Sequence, residues 1–244
     1  MHLIQGTLDS STTLLTSGAG LIALGSAFYG VRHQLSVKRM PSLLALTCLV
    51  FLAQMVNCSI GFGFSIHLLG ASLLAILFGP FAAMLSMASI LILQASFLGD
   101  GSYSTLGANF LNMGVVAPWV AYGIFRSMQG HRFPQMDAGQ LGALAIASFA
   151  SIMAASLSLS LMLGTPIMEV FLISCVWGLL ETLIAVAVFA LCVRNESRQF
   201  SFASRLALRP LALICLLTLC LLPFSSQQPD GLEHVLELSA LSVE

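Results

Sequence analysis

The sequence predicts an all-α fold, a polytopic bundle of transmembrane helices with seven core spans plus one additional C-terminal span. Three observations carry that prediction. The 244 residues are 58% hydrophobic and only 8% charged, with mean hydropathy +0.97. No water-soluble domain of this size could solvate such a surface. Apolar runs recur along the chain, most close to the ~20 residues that cross a bilayer. All nine Lys and Arg residues fall in three stretches, 32–39, 126–132 and 194–209, as expected of loops retained on the cytoplasmic face. The net charge of −1 offers nothing to nucleic acid.

Each element follows from its residues. Positions 1–10 read as a polar loop, without the basic start of a signal peptide. Span 11–31 carries Ala19, Ala23 and Ala27 with Gly18, Gly20 and Gly25. Small residues at that spacing let a second helix approach, although they are also common in membrane helices generally. The second span is 42–62, with Gln54 and Asn57 near its end. Runs 68–79 and 80–98 form a pair broken at Gly79-Pro80, because proline cannot continue a helix. The first is short for a crossing: a packed short helix or a re-entrant one. Positions 99–105 turn, and span 106–125 places Asn109 and Asn112 three apart on one face. Spans 141–163 and 167–193 follow, the latter with Glu181 near its middle. An eighth apolar run, 211–224, precedes a polar acidic tail. Counting these crossings puts the three basic stretches on one side, and the N-terminus, the His67 loop and the Asp100 turn on the other, external side. The six cysteines show no CxxC and read as small core residues.

Chemistry concentrates at Met1-His2 and His67. A histidine in second position can chelate a metal through the free α-amine of Met1, its own amide nitrogen and its imidazole Nδ1. Retention of Met1 is expected, because His2 is bulky. A second imidazole completes a square of four nitrogens, which suits Ni(II) or Cu(II) and can be imposed on Co(II). His67, in Gly61–Gly70, is the candidate, although alone it would read as a histidine satisfied by a backbone carbonyl. Asp100 and Asp9 could form a weak electrostatic funnel for a cation, against the plainer reading of solvated loop carboxylates. Glu181 at bilayer depth is costly and therefore a functional candidate. A structural polar network with Asn109, Asn112 or Gln94 is the favoured reading, against an ion relay or a proton-linked group. Asn109 and Asn112 read first as interhelical hydrogen-bonding residues and second as support for a ligand histidine. His33 and His131 fall in basic loops and His234 in the tail, as surface residues.

Met1-His2, His67-Leu68-Leu69-Gly70, Phe78-Gly79-Pro80, Gly107-Ala108-Asn109 and Asn112-Met113-Gly114 occur in this order. Together they resemble the cobalt/nickel S component (CbiM/NikM type) of energy-coupling-factor ABC transporters. The resemblance covers residues 1–195, a metal-binding membrane domain. It implies seven spans and an external N-terminus folding inward. It also implies Ni(II) or Co(II) held by Met1, His2 and His67 as transported substrate, with no permanent cofactor. The implied partners are a transmembrane coupling subunit (T component) and two cytoplasmic ATPases, in the inner (plasma) membrane, with cobalamin biosynthesis as a consumer of cobalt. The chain has no GxxxxGK[ST] phosphate loop, so it is not expected to be an enzyme, and ATP hydrolysis is assigned to partners. Residues 196–244 form an extra helix and a tail with Pro229-Asp230-Gly231-Leu232-Glu233. That tail is similar to the external loop of a small auxiliary membrane subunit whose second helix is not in this sequence. The start departs from the usual Met-His-Ile-Pro-acid, reading Met1-His2-Leu3-Ile4-Gln5, which leaves the arm more flexible and one charge poorer. Two other readings stay open: an S component for a vitamin-like organic substrate, and a non-catalytic structural membrane subunit.

Overall fold

The computed structural model describes residues 3, 6–56, 58–59, 65–130, 137–165 and 167–194. In order these form α1 (Ser10–Gln34), α2 (Met40–Gln54), the two-residue strands β1 (Cys58–Ser59) and β2 (Ser65–Ile66), α3 (Ala71–Phe78) and α4 (Pro80–Leu93). Then follow α5 (Leu106–Asn109), α6 (Ala117–Gln129), α7 (Ala138–Leu163) and α8 (Ile167–Arg194). Two π-helical stretches, Gln94–Leu98 and Phe110–Val116, extend α4 and join α5 to α6. The fold is the expected all-α bundle. Among the described residues, six helices are long and apolar enough to cross a membrane. The run 211–224, the tail and the basic stretch beyond Arg194 lie outside the described residues.

The short α3 is the centre of the bundle. Every residue from Ala71 to Phe78 is buried, against α2, α4, α6, α7 and α8. Eight residues rise only ~12 Å, under half the hydrocarbon thickness. At its C-terminal end Gly79 adopts φ +92°, a conformation glycine tolerates, and Pro80 starts α4 with a fixed φ. The Arg39 guanidinium donates to the Leu77 carbonyl (2.6 Å) and lies over the Phe78 ring. The C-terminus of α3 therefore sits at the bundle end carrying Arg32, Lys38 and Arg39. The other end of α3, at Gly70, lies well inside the bundle.

Three expectations change. The second helix stops at Gln54, short of residue 62. Beyond it Cys58 pairs antiparallel with Ile66, and Gly61 and Gly63 are poor helix formers. On α1 the facing seam is Thr16, Gly20, Ala27 and Gly30. Gly18 and Gly25 have open space beside them, whereas Gly20 lies against Gly107 and Gly30 against Phe81. Cys48 is an exposed thiol on the outer face of α2, and Cys175 is half-buried; neither is in the core. The outward faces of α1 and α8 expose Leu14, Leu21, Ile22, Leu179 and Leu183, as lipid-facing helices do.

Helices α7 and α8 form the most extensive pair. Buried residues on α8 recur at Val170, Ser174, Trp177, Glu181, Ala185 and Phe189, the three- and four-residue spacing of one helical face. Ser174 donates to Ser156 of α7 at 2.5 Å.

Candidate metal site

The His67–Gly70 turn is held from three directions. From α8, the Trp177 indole N–H donates to the His67 carbonyl (2.8 Å). One turn further along, the Glu181 carboxylate accepts from two consecutive backbone amides, Leu69 N–H on Oε2 and Gly70 N–H on Oε1, both at 2.8 Å. From α2, the Gln54 amide donates to the Leu69 carbonyl (2.7 Å), and Gln94 donates to Gln54 Oε1 (3.0 Å). Ser148 of α7 donates to Ser72 (3.1 Å), whose hydroxyl also hydrogen-bonds Glu181. Gly70 adopts φ +72°, and a Cβ there would fall 2.7 Å from Val50, so no other residue fits the turn.

His67 itself is buried, 6% exposed. Its Nδ1 lies 3.1 Å from the Leu68 carbonyl. A carbonyl only accepts, so this contact requires Nδ1–H and assigns the ring lone pair to Nε2. The Trp177 ring meets the imidazole edge-on, centroids 5.9 Å apart. The backbone carbonyl expected of a merely satisfied histidine is therefore present, and a contact of this kind is also the one that fixes the ring of a ligating histidine.

The N-terminal arm reaches the bundle at Leu3. That residue is fully buried. Its N–H donates to Asn109 Oδ1 (2.8 Å), and its carbonyl accepts from Asn109 Nδ2 (3.2 Å) and the Thr105 hydroxyl (2.5 Å). The turn before α5 and the arm thus meet. Asn109 bonds the backbone of the residue following His2, not a neighbouring helix. Asn112, one turn deeper, is buried with neither amide atom hydrogen-bonded. Asp100 is half-buried in the turn, and its N–H donates to the Gln94 carbonyl (3.3 Å). Met1 and His2 lie outside the described residues, as do His131 and His234. His33 lies near the C-terminus of α1, ~35 Å along the helix from its start, too far to share this site.

Glu181 does belong to a polar network, as expected, but its partners are backbone amides and Ser72 rather than Asn109, Asn112 or Gln94. Asp9 caps α1. Its carboxylate accepts from the Ser11 hydroxyl and from the Ser11 and Thr12 amides (3.0 and 3.1 Å). The Ser11 side-chain bond foremost, then the Thr12 bonds, hold it well below the ordinary carboxylate range. Sequence reasoning missed Thr105, Trp177 and the serines of α7. For Trp177 a signal existed: it stands four residues before Glu181, on the same helical face, and its indole N–H needs a partner when buried.

Residues 2–199 match the family model described as cobalt uptake substrate-specific transmembrane region, CbiM. The chain belongs to that family. The cobalt transport protein CbiM of Kyrpidia tusciae is 34% identical over 169 residues, 68% of this chain and 68% of that protein. An Archaeoglobus fulgidus relative, provisionally named a fused nickel transport protein, NikMN, is 36% identical over 157 residues, 62% of this chain and 51% of its own length. The chain spans about half the length of the fused relatives it matches. A crystal structure of a transition metal transporter matches with TM-score 0.71 and 29% identity, over 84% of this chain and 99% of that one. The protein is thus a multi-pass membrane protein of the CbiM type.

Proposed function

We propose that this chain is the substrate-binding membrane subunit of an energy-coupling-factor importer for Ni(II) or Co(II). The ion is cargo, held by four nitrogens: the Met1 amine, the His2 amide and imidazole Nδ1, and His67 Nε2. The observation that carries this reading is the burial of Leu3 under Asn109 and Thr105, at the bundle end opposite Arg32 and Lys38. The Gln54–Gln94 link ties the His67 turn to the helix that leads into the Asp100 turn at that same end. Two residues separate Leu3 from the chain's amine, a reach of at most about 7 Å. The tautomer of His67 leaves Nε2 as a donor atom, and Asn109 supports the arm. Asn112 offers a buried amide beside that clamp, and Asp100 adds a weak negative field.

Basic loops stay cytoplasmic, so the Leu3 end is external and the membrane is the inner (plasma) membrane. A transmembrane coupling subunit and two cytoplasmic ATPases supply the energy, since the sequence carries no phosphate loop. Residues 1–195 form the metal-binding domain. Residues 196–244 add a helix and a tail that meets, or stands in for, part of a small auxiliary subunit.

The test is metal titration of the purified full chain with Ni(II) and Co(II) in competition. One ion per chain is expected, and His67→Ala or one residue added before Met1 should abolish binding. Tight binding retained by both variants overturns the site, and an organic cargo would be indifferent to the added residue.

A further inference from the structure

We propose that Glu181 is the positioning and charge-balancing residue of the cation site, acting through the His67–Gly70 turn. The inference rests on the reading of His67 as a metal ligand. Glu181 is the one charged side chain buried among the described residues, and it lies midway along α8. Its two oxygens each take one amide, Leu69 and Gly70. Two successive N–H groups on one carboxylate fix the orientation of the peptide units that follow His67. Trp177, one turn away on the same helix, fixes the His67 carbonyl. Helix α8 therefore grips the ligand-bearing turn at both ends.

The amides satisfy the lone pairs of Glu181 but do not neutralise it. No cationic side chain of the described residues bonds to it. Arg32, Lys38, Arg39 and Arg126 belong to the basic end, half a bundle away. An uncompensated carboxylate at that depth is costly. A divalent ion bound by three neutral nitrogens and one deprotonated amide carries a net charge of +1. Seated on His67, two residues from Leu69, it would cancel the −1 of Glu181. With Glu181 ionised the site is neutral only when loaded, so the bound cation and the charge of Glu181 favour each other. Glutamine cannot substitute: it has one acceptor oxygen, and its NH2 would oppose a backbone N–H.

The test uses the full chain in detergent with Ni(II) alone, reading affinity by competition with a chromogenic chelator and geometry by the d–d absorption of the bound ion. E181Q should bind about 10–100-fold more weakly, the usual cost of losing support behind a metal ligand, with a shifted d–d band. E181D, which keeps the charge, should lose less than E181Q. His67→Ala is run alongside. If it binds normally, the site reading has failed. If it does not bind while E181Q keeps wild-type affinity and spectrum, the role of Glu181 is overturned. Should E181Q not fold, E181D and the wild-type infrared difference spectrum on Ni(II) addition decide. A buried carboxylate band that does not respond to nickel overturns the proposal.

Discussion

Asn109 pairs its amide with both backbone groups of Leu3, accepting from the N–H at 2.8 Å and donating to the carbonyl at 3.2 Å. The pairing is the one a neighbouring β-strand would make, supplied here by a side chain. Only an amide carries donor and acceptor together in that shape. Asn109→Asp removes the donor, and Asn109→Ala leaves a buried N–H unsatisfied, at about 1–3 kcal/mol. We expect metal affinity to fall by roughly 5- to 150-fold in N109A, with cleavage of the arm by added protease becoming faster. N109A with unchanged affinity and unchanged cleavage would show that Leu3 does not anchor the arm.

Gly107 governs how α1 seats on the bundle. A Cβ there would lie 2.5 Å from Ser17 Cα and 2.7 Å from its nitrogen, and backbone cannot move aside as a side-chain tip can. Gly107→Ala should therefore destabilise the protein by about 1–3 kcal/mol. Gly25, beside open space, should tolerate alanine or gain slightly in helix propensity. Thermal unfolding of both variants in the same detergent checks the contrast. Equal melting temperatures would rule out a tight α1–α5 contact.

Affinity for the metal should depend on pH through the arm, and not through Asp9. The amide proton of His2 leaves on binding, so affinity changes at least tenfold per pH unit, about 100-fold between pH 6 and 8. Protonation of the amine, whose ordinary value is ~8, adds to this. Asp9 cannot contribute in that window. Its carboxyl is held below its ordinary range, so its capping of α1 is present above that range. The cap is lost only as pH falls through the lowered value, far below 6. Asp9→Asn should leave the slope unchanged. Titrations giving equal affinity at pH 6 and 8 would exclude the amine–amide donor set.

How much of this was legible depends on which interaction each residue makes. Hydropathy locates the long helices because each must match a bilayer. Gly79-Pro80 and residues 99–105 read as breaks because their backbone chemistry is local. Glu181 was singled out because a carboxylate is costly at bilayer depth, His67 because its imidazole completes the Met1-His2 donors, and Asn109 for its spacing from Asn112. Their partners were not readable. Glu181 bonds to amides 111 and 112 residues away, and backbone amides carry no sequence signature. The seam of α1 was legible only in part: the six small residues spread around the helix, and the positions of Gly107 and Phe81 select Gly20 and Gly30 over Gly18 and Gly25. The end of α2 at Gln54 was obscured because the apolar run continues past it.

Gln54 links the two halves of the site, and its removal should be felt at His67 without touching it. Its amide donates to the Leu69 carbonyl (2.7 Å), and its oxygen accepts from Gln94 (3.0 Å). The Gln94 oxygen already has no hydrogen-bond partner, so Gln54→Leu would orphan the Gln94 amide and the Leu69 carbonyl as well. Each buried orphan costs about 1–3 kcal/mol. We expect Gln54→Leu to melt below wild type, and Gln54→Glu to melt below wild type as well, because it sets a buried carboxylate oxygen against the Leu69 carbonyl. If the His67 turn is held rigid by this link, nickel should also dissociate faster from Gln54→Leu. A Gln54→Leu protein with wild-type dissociation but a lowered melting temperature would confine Gln54 to stability and leave Trp177 and Glu181 as the residues that hold the ligand in place.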